Sequence, residues 1–433
     1  MAFKAINKSY VSSIDMLDQR EIMSELIDET NEAATLLDFY ELTGRAELTS
    51  AVTYHQFANE ELYGIGEVVN AVVGGGTTQL ILDLTAATKD NCRIGNTVQL
   101  PSGKVGYIYD KVDDSITIES VDRTVITAVA GDKFSFFSTM SGEGASGPAP
   151  FRKGQVKYWN QVQSFDGAYE VTDIQGSTKV ETKFNGSHFY MVKAQHEAFT
   201  KFQADTSFGL MFNVLSTTNF ESASPDLTDK DGNPLQSTRG LNQEIDTYGE
   251  IQQLDTTGVI ALTDHRDWTK TLNKLRAPNE YDLMVGGNKN IEYDDFLNAL
   301  GTTPELENAR YSIDGREQDF GVDKFKLYGR VYNKKVMPML DHKNVVNFDG
   351  SAGFQDQAFY VPKGKTKTAS GGSVDYCRIR YMNTFGEDSR YKEVNTGAYA
   401  PVPTSTEKKW NVTYYATMGL ECVNTKFFGK WHN

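Results

Sequence analysis

The sequence predicts an α+β fold in which one long helix links two unlike regions. Three observations predict it. Residues 184–213, FNGSHFYMVKAQHEAFTKFQADTSFGLMFN, place Phe189, Val192, His196, Phe199, Gln203, Thr206 and Leu210 at three- and four-residue steps, one face of a helix. Short alternating stretches crowd 79–137 ahead of it. From Val259 helical and strand patterns mix, and from 323 strands dominate.

Composition bounds the reading. A chain of 433 residues has length for two or three domains, and 39% apolar with 23% charged residues is ordinary for a folded protein. The 24 Phe, 22 Tyr and 4 Trp favour large contact areas within or between chains. A formal net charge of −15 disfavours wrapping nucleic acid through phosphate contacts. No apolar run reaches the roughly 20 residues that span a bilayer, so no membrane partner is expected. The opening MAFKAINKSYVSSID lacks a continuous apolar core, so no secretory signal is expected. Cys92, Cys377 and Cys422 are far apart in sequence with no CxxC pair, which predicts three reduced thiols made in a cytoplasm.

Residues 15–43 form a first helical stretch, with Ile22, Met23, Leu26 and Ile27 in one stripe and Leu36, Leu37 and Tyr40 in the next. It packs either on its own core or as an arm on a neighbouring subunit. Val72–Gly76 is a joint, since three successive glycines make the backbone permissive. Beyond it, strands are expected at 79–84, 96–100, 104–112, 114–121, 124–129 and 133–137, a small barrel or sandwich. Between Asp83 and Lys133 there are 8 acids and 6 bases, which argues against a basic groove for nucleic acid. Residues 140–151, MSGEGASGPAPF, make a flexible loop, and Trp159, Val162, Phe165 and Tyr169 return the chain along an extended arm.

Roughly 25 helical residues from 185 onward give a rod of about 38 Å. Asn185 or Ser187 is placed to cap its start. After it, 224–240 is a polar connection whose Asp229, Asp231 and Asn233 read as a β-turn, because no closing acid completes a calcium loop. Thr263 or Asp264 caps a helix striped by Trp268, Leu272 and Leu275. Tyr281–Val285 is a buried strand and Ile291–Leu300 a helix with Phe296, Leu297 and Leu300 inward. Strands follow at 323–332, 336–340, 358–364, 374–382, 409–422 and 425–431, with a two-lysine loop at 364–372.

No catalytic set assembles, so no catalytic, cofactor or metal residue is assigned and the chain is not read as an enzyme. His265-Arg266-Asp267 spells a kinase tripeptide, but Leu272 stands where the metal-ligand Asn belongs. VGGNKN at 285–290 lacks the Walker spacing and its Lys-Ser/Thr pair. His196-Glu197 lacks a second histidine, since Thr200 stands there.

The order of parts, carried by QVQSFDGAYEVTDIQGS leading into KAQHEAFTKFQADTSFGLMFN, by the stretch from Val259 to Leu300 and by the ending from Thr396, resembles the major capsid protein of tailed bacteriophages, the Hong Kong 97-type fold. The resemblance covers most of the chain as an order of elements, without an invariant motif. It implies an N-terminal arm (1–50), a P-domain lead-in (51–74) and an extended E-loop (75–165) carrying an inserted β-module at about 78–138. It further implies a P-domain (166–239) with a spine helix at about 185–213, an axial A-domain (240–400) and closing P-domain strands (401–433). On this reading Phe189, Val192, Phe199 and Leu210 pack the spine helix, and Val98, Tyr107 and Ile118 mark an inter-subunit face of the module.

The resemblance implies a structural protein made in the host bacterial cytoplasm and residing in the virion. It self-assembles into pentamers and hexamers, an icosahedral shell around double-stranded DNA bound without sequence specificity. Portal, scaffold and decoration proteins are its implied partners. Some relatives carry an N-terminal scaffolding segment that a protease removes; here the sequence begins at Met1, and a separate scaffold or none is expected. Some relatives join subunits by a lysine–asparagine isopeptide bond; Lys104 and Lys111 lie in the excursion, but no motif names a partner and that chemistry is not carried over. The alternatives are an encapsulin-like nanocompartment shell and a secreted β-rich hydrolase or carbohydrate-binding protein.

Overall fold

The computed structural model describes residues 46–59, 65–72, 78–85, 92–144, 155–177, 179–184, 187–253, 260–302, 324–341, 354–368, 371–384, 387–388 and 391–432. The chain divides into two compact units, one from 57 to 158 and the other from the flanking residues on either side. The predicted N-terminal helical stretch lies outside the described residues.

Strands β1 (Glu47–Thr49) and β2 (Thr53–Asn59) come first. Six more then close on themselves: β3 (Ile65–Val72), β4 (Gln79–Leu84), β5 (Asn96–Gln99), β6 (Val105–Val112), β7 (Ser115–Ser120) and β8 (Lys133–Thr139). They form an antiparallel barrel in the order β3-β4-β7-β6-β5-β8. Closure removes the free edges that short strands would otherwise expose. Period-two alternation fills the interior: Leu80, Leu82 and Leu84 from β4 and Ile116 and Ile118 from β7 are buried. The barrel is so narrow that a Cβ at Gly106 would lie 2.1 Å from Ile118 Cγ2.

Strand β9 (Gln155–Gln161), which like β2 crosses the boundary between the two sets of residues, pairs with β2 as a two-stranded ribbon, and β10 (Gln163–Thr172) follows at once in the second unit. Then come α1 (Asp173–Ser177), the hairpin β11 (Lys179–Phe184) and β12 (Ser187–Phe189), and the long helix α2 (Tyr190–Phe212). The α/β part runs α3 (Leu241–Tyr248), β13 (Glu250–Gln253), α4 (Leu262–Lys274), β14 (Glu280–Val285) and α5 (Gly287–Thr302). Strands β15 (Lys324–Leu327), β16 (Arg330–Val336) and β17 (Ala358–Pro362) follow, then the hairpin β18 (Lys365–Lys367) and β19 (Ser373–Asp375). The chain closes with β20 (Cys377–Thr384), β21 (Glu387–Asp388), β22 (Lys392–Gly397), β23 (Lys409–Cys422) and β24 (Gly429–His432).

Two sheets organise this unit. In the first, the 14-residue β23 pairs with β10 on one side and with β20 and β22 along the other, and β1 adds parallel to β20. The second has the order β13-β24-β17-β14-β16-β15. Every residue of β14 after Glu280 is buried, the pattern of a strand covered on both faces. Trp268 and Leu272 of α4 and Tyr293 and Leu297 of α5 join the same apolar cluster as both sheets.

The structure corrects several expectations. The barrel begins at Ile65, ahead of the expected start near 78, so the glycine joint falls inside the module. Residues 124–129 form no strand, although Ile126 and Ala128 still bury their side chains in the barrel. Within the expected strand 323–332, residues 324–332 turn back as a hairpin, because Tyr328 and Gly329 both take positive φ (47° and 86°), the pattern of a tight two-residue turn. Residues 338–341 form a 3₁₀ turn around Pro338, which has no N–H for a ladder. The expected border at 400/401 runs through both sheets, since β20 and β22 pair with β23 while β24 enters the α/β sheet. The long helix starts at Tyr190, with Ser187 in β12 and not at a cap.

Candidate functional site

Among the described residues of the second unit, a buried polar network gathers around Tyr54 and Gln56 of β2 and Asn160 and Gln161 of β9. Tyr54 Oη donates to the Leu420 carbonyl (2.6 Å), and Gln56 Nε2 donates to the Cys422 carbonyl. From β9, Asn160 Nδ2 donates to the carbonyls of Leu420 (2.7 Å) and Arg239 (2.9 Å), while its Oδ1 accepts from Arg239 N (2.8 Å). Gln161 Nε2 donates to Ser216 Oγ and to the Thr218 and Ser237 carbonyls. Both strands of the ribbon are thus pinned to the backbone of β23 and to the connection after α2.

Beside this root, Arg239 Nη1 meets Glu244 Oε2 at 3.2 Å, with both side chains almost wholly buried. The guanidinium lies 5.1 Å from the Tyr248 ring centre and 5.5 Å from that of Trp159, within reach of a cation–π contact. Burial pushes the Glu244 carboxyl up from its ordinary range, and Arg239 with Thr425 Oγ1 pulls against it. A buried ion pair of this kind is weak evidence for stability, because the cost of desolvating both charges offsets their attraction.

The predicted helix-packing residues separate. Phe189 belongs to β12 and not to α2. Val192 lies in α2 among the side chains outside the described set. Leu210 is fully buried. Phe199 is half-buried, with its ring 5.5 Å from Tyr414 and 5.7 Å from Tyr391. The residue sequence reasoning missed is Phe202, buried against Tyr414. It sits three residues after Phe199, so the apolar face is rotated from the one read through His196, which is exposed.

The predicted inter-subunit residues also separate. Val98 and Ile118 have no exposed surface and build the barrel core, so they cannot meet a neighbour while the barrel is closed. Tyr107 is half-buried on the outer surface. Tyr109, Val112 and Phe137 are at least half exposed there, and β6 alternation past Ile108 is the signal that would have found Tyr109. Lys104 is engaged by Asp122 and Thr124, and Lys111 by the Cys92 carbonyl.

The motif-like stretches take structural roles. His265 is wholly buried against Tyr293, Phe296, Phe325, Tyr332, Tyr360 and Trp431, whereas Arg266 and Asp267 are exposed. Burial alone pushes the His265 imidazole down to about 3. In VGGNKN the Gly287 N–H at the start of α5 donates to Asp341 Oδ1 (2.6 Å), so the chain's own carboxylate stands where a phosphate would bind. Asp229 accepts from Asp231 N, Asn233 N and Asn233 Nδ2, which closes a side-chain-capped turn. No group of three metal-binding side chains occurs among the described residues. No described helix is long and apolar enough to cross a membrane.

No family model and no curated protein matches the chain. Among solved structures it is similar to the capsid of a native GTA particle, with TM-score 0.43 and 8% identity over 99% of both chains. It is similar to a structure from Microbacterium phage Oxtober96, with TM-score 0.42 and 10% identity over 96% of this chain and 95% of that one. The holo-SrpI encapsulin complex of Synechococcus elongatus PCC 7942 is a third, with TM-score 0.41 and 8% identity over 96% and 92%. Such values carry no residue-by-residue correspondence.

Proposed function

We propose that this chain is the structural subunit of a closed protein shell, a major capsid protein of the Hong Kong 97 type. One observation carries the reading: a ribbon rooted by buried hydrogen bonds on β23 leads out to, and back from, a separately compact closed barrel. A firm root with a self-contained unit beyond it suits an arm that reaches a neighbouring copy. Tyr109, Val112 and Phe137 supply apolar contact area on that unit. The shell is built from pentamers and hexamers of one chain, rings that join into a curved lattice. It encloses double-stranded DNA without sequence-specific contacts, which suits a net charge of −15. Portal, scaffold and decoration proteins would complete the virion.

Sizing the purified full chain tests the proposal. Megadalton particles with pentameric and hexameric units are the expected result, and a stable monomer at high concentration would overturn it. Nucleic acid inside particles recovered from an infected host separates a genome container from an enzyme-filled compartment.

A further inference from the structure

We infer that Cys377 and Cys422 form a cross-strand dithiol, a site that closes to a disulfide within one chain under hydrogen peroxide. The two residues face each other in the antiparallel pairing of β20 with β23. Their kind of position follows from the backbone. Val423 N donates to the Tyr376 carbonyl at 2.7 Å, so 376 and 423 are a hydrogen-bonded pair and 377 with 422 a non-hydrogen-bonded one. The carbonyls of Leu420 and Cys422 point away from β20, where Tyr54, Asn160 and Gln56 bond to them, as that register requires. At non-hydrogen-bonded positions opposed Cα atoms lie about 4.5 Å apart and side chains are closest, within the span of a disulfide.

Both thiols are buried and reduced. Burial pushes the Cys422 thiol well above its ordinary range, and its hydrogen bond with Cys377 pushes it the same way. That keeps the thiolate scarce, so closure is slow and awaits opening at this end of the strand pair. Peroxide first oxidises one sulfur to a sulfenic acid, breaking the O–O bond and releasing one water. The second thiol then attacks that sulfur, the S–S bond forms, and a second water leaves with the remaining thiol proton. Two thiols lose two electrons, and peroxide gains them. Cys92, also buried and with its thiol pushed up to about 12, lies in the other unit, which holds neither Cys377 nor Cys422. It serves as an internal control. The inference does not depend on the proposed function.

The test treats the full chain with hydrogen peroxide, quenches, unfolds it and counts thiols. The expected count falls from three to one, the mass falls by about 2 Da as two hydrogens leave, and a digest yields a 377–422 linked peptide. Cys92→Ser should show the same mass loss, whereas Cys377→Ser and Cys422→Ser should not. Because either of those variants could misfold, the wild-type linked peptide decides the matter by itself. Three intact thiols in the folded protein after prolonged exposure, or oxygen added to Cys377 or Cys422 without a linked peptide, would overturn the inference.

Discussion

Gly209 of α2 lies directly over Phe165 of β10: a Cβ on Gly209 would stand 2.4 Å from the ring's Cε1. The helix approaches the sheet this closely only because the position lacks a side chain. Gly167 repeats the arrangement from the sheet side, where a Cβ would lie 2.9 Å from Phe202 Cβ. The interface therefore interlocks, with a helix glycine over a strand ring and a strand glycine under a helix ring. Gly209→Ala should lose about 1–3 kcal/mol through overpacking, despite the better helix propensity of alanine. A thermal or denaturant midpoint equal to wild type would show that the helix lifts off without cost.

Phe202→Ala should be the more damaging of two ring removals on α2. Its side chain is 3% exposed and packs on Tyr414 and Gly167, so the loss should be about 3–5 kcal/mol. Phe199 keeps part of its ring in solvent, and Phe199→Ala should lose roughly 1–2 kcal/mol. Denaturant titrations of both variants check the order, and equal losses would contradict it.

These two residues show how far the sequence carries. The three- and four-residue periodicity identified the long helix but not its rotation, because Phe199 and Phe202 both fit a face at that spacing. Both rings reach Tyr414, and the close approach of Gly167 to Phe202 decides between them. In the barrel, the strand alternation itself was legible, although Val98 and Ile118, read as an inter-subunit face, belong with Leu82 and Ile108 to the closed interior. The start at Ile65 was not, because the glycine run after it reads as a boundary and β3 needs β4 and β8 to be a strand at all. The root network was illegible for a similar reason. Asn160, Arg239 and Leu420 are distant in sequence, and polar residues without periodicity leave no local signal.

His265 gives the protein a pH dependence of known sign. Folded, the imidazole stays neutral down to about 3, held by burial among aromatic rings. Unfolded, it takes a proton near pH 6.5. The unfolded state therefore binds more protons between these values, and stability falls as pH drops through that window. From pH 7 to pH 5, above most carboxylate titration, the histidine should account for about 2 kcal/mol of lost stability. His265→Leu should flatten that part of the profile. Denaturation midpoints at several pH values measure it, and parallel profiles for both proteins would remove His265 as the cause.

On the proposed function, the outside and inside of the barrel should respond differently to charge. Tyr109→Asp changes an exposed position and should leave the barrel folded while weakening shell assembly. Val98→Asp buries an unpaired carboxylate in the barrel core and should unfold that unit. Circular dichroism with particle sizing separates the two, and normal shells from Tyr109→Asp would take this face out of the interface.

On the same proposal, the ribbon root links structure to shell assembly. Asn160→Ala removes two donors and one acceptor at once, leaving the Arg239 N–H without its partner and the Leu420 carbonyl with Tyr54 alone. Stranding buried polar groups in this way should lose roughly 1–3 kcal/mol for each one left unsatisfied. The barrel core shares no residue with this network, so its own protection should persist. Hydrogen exchange should therefore quicken at 53–56 and 159–161 while strands β4, β6 and β7 stay protected. If the arm works only when its root is rigid, shells of this variant should form poorly although both units are folded. Unchanged exchange at the root would show that Asn160 is dispensable there. Fast exchange with normal shells would show instead that assembly does not depend on a fixed arm.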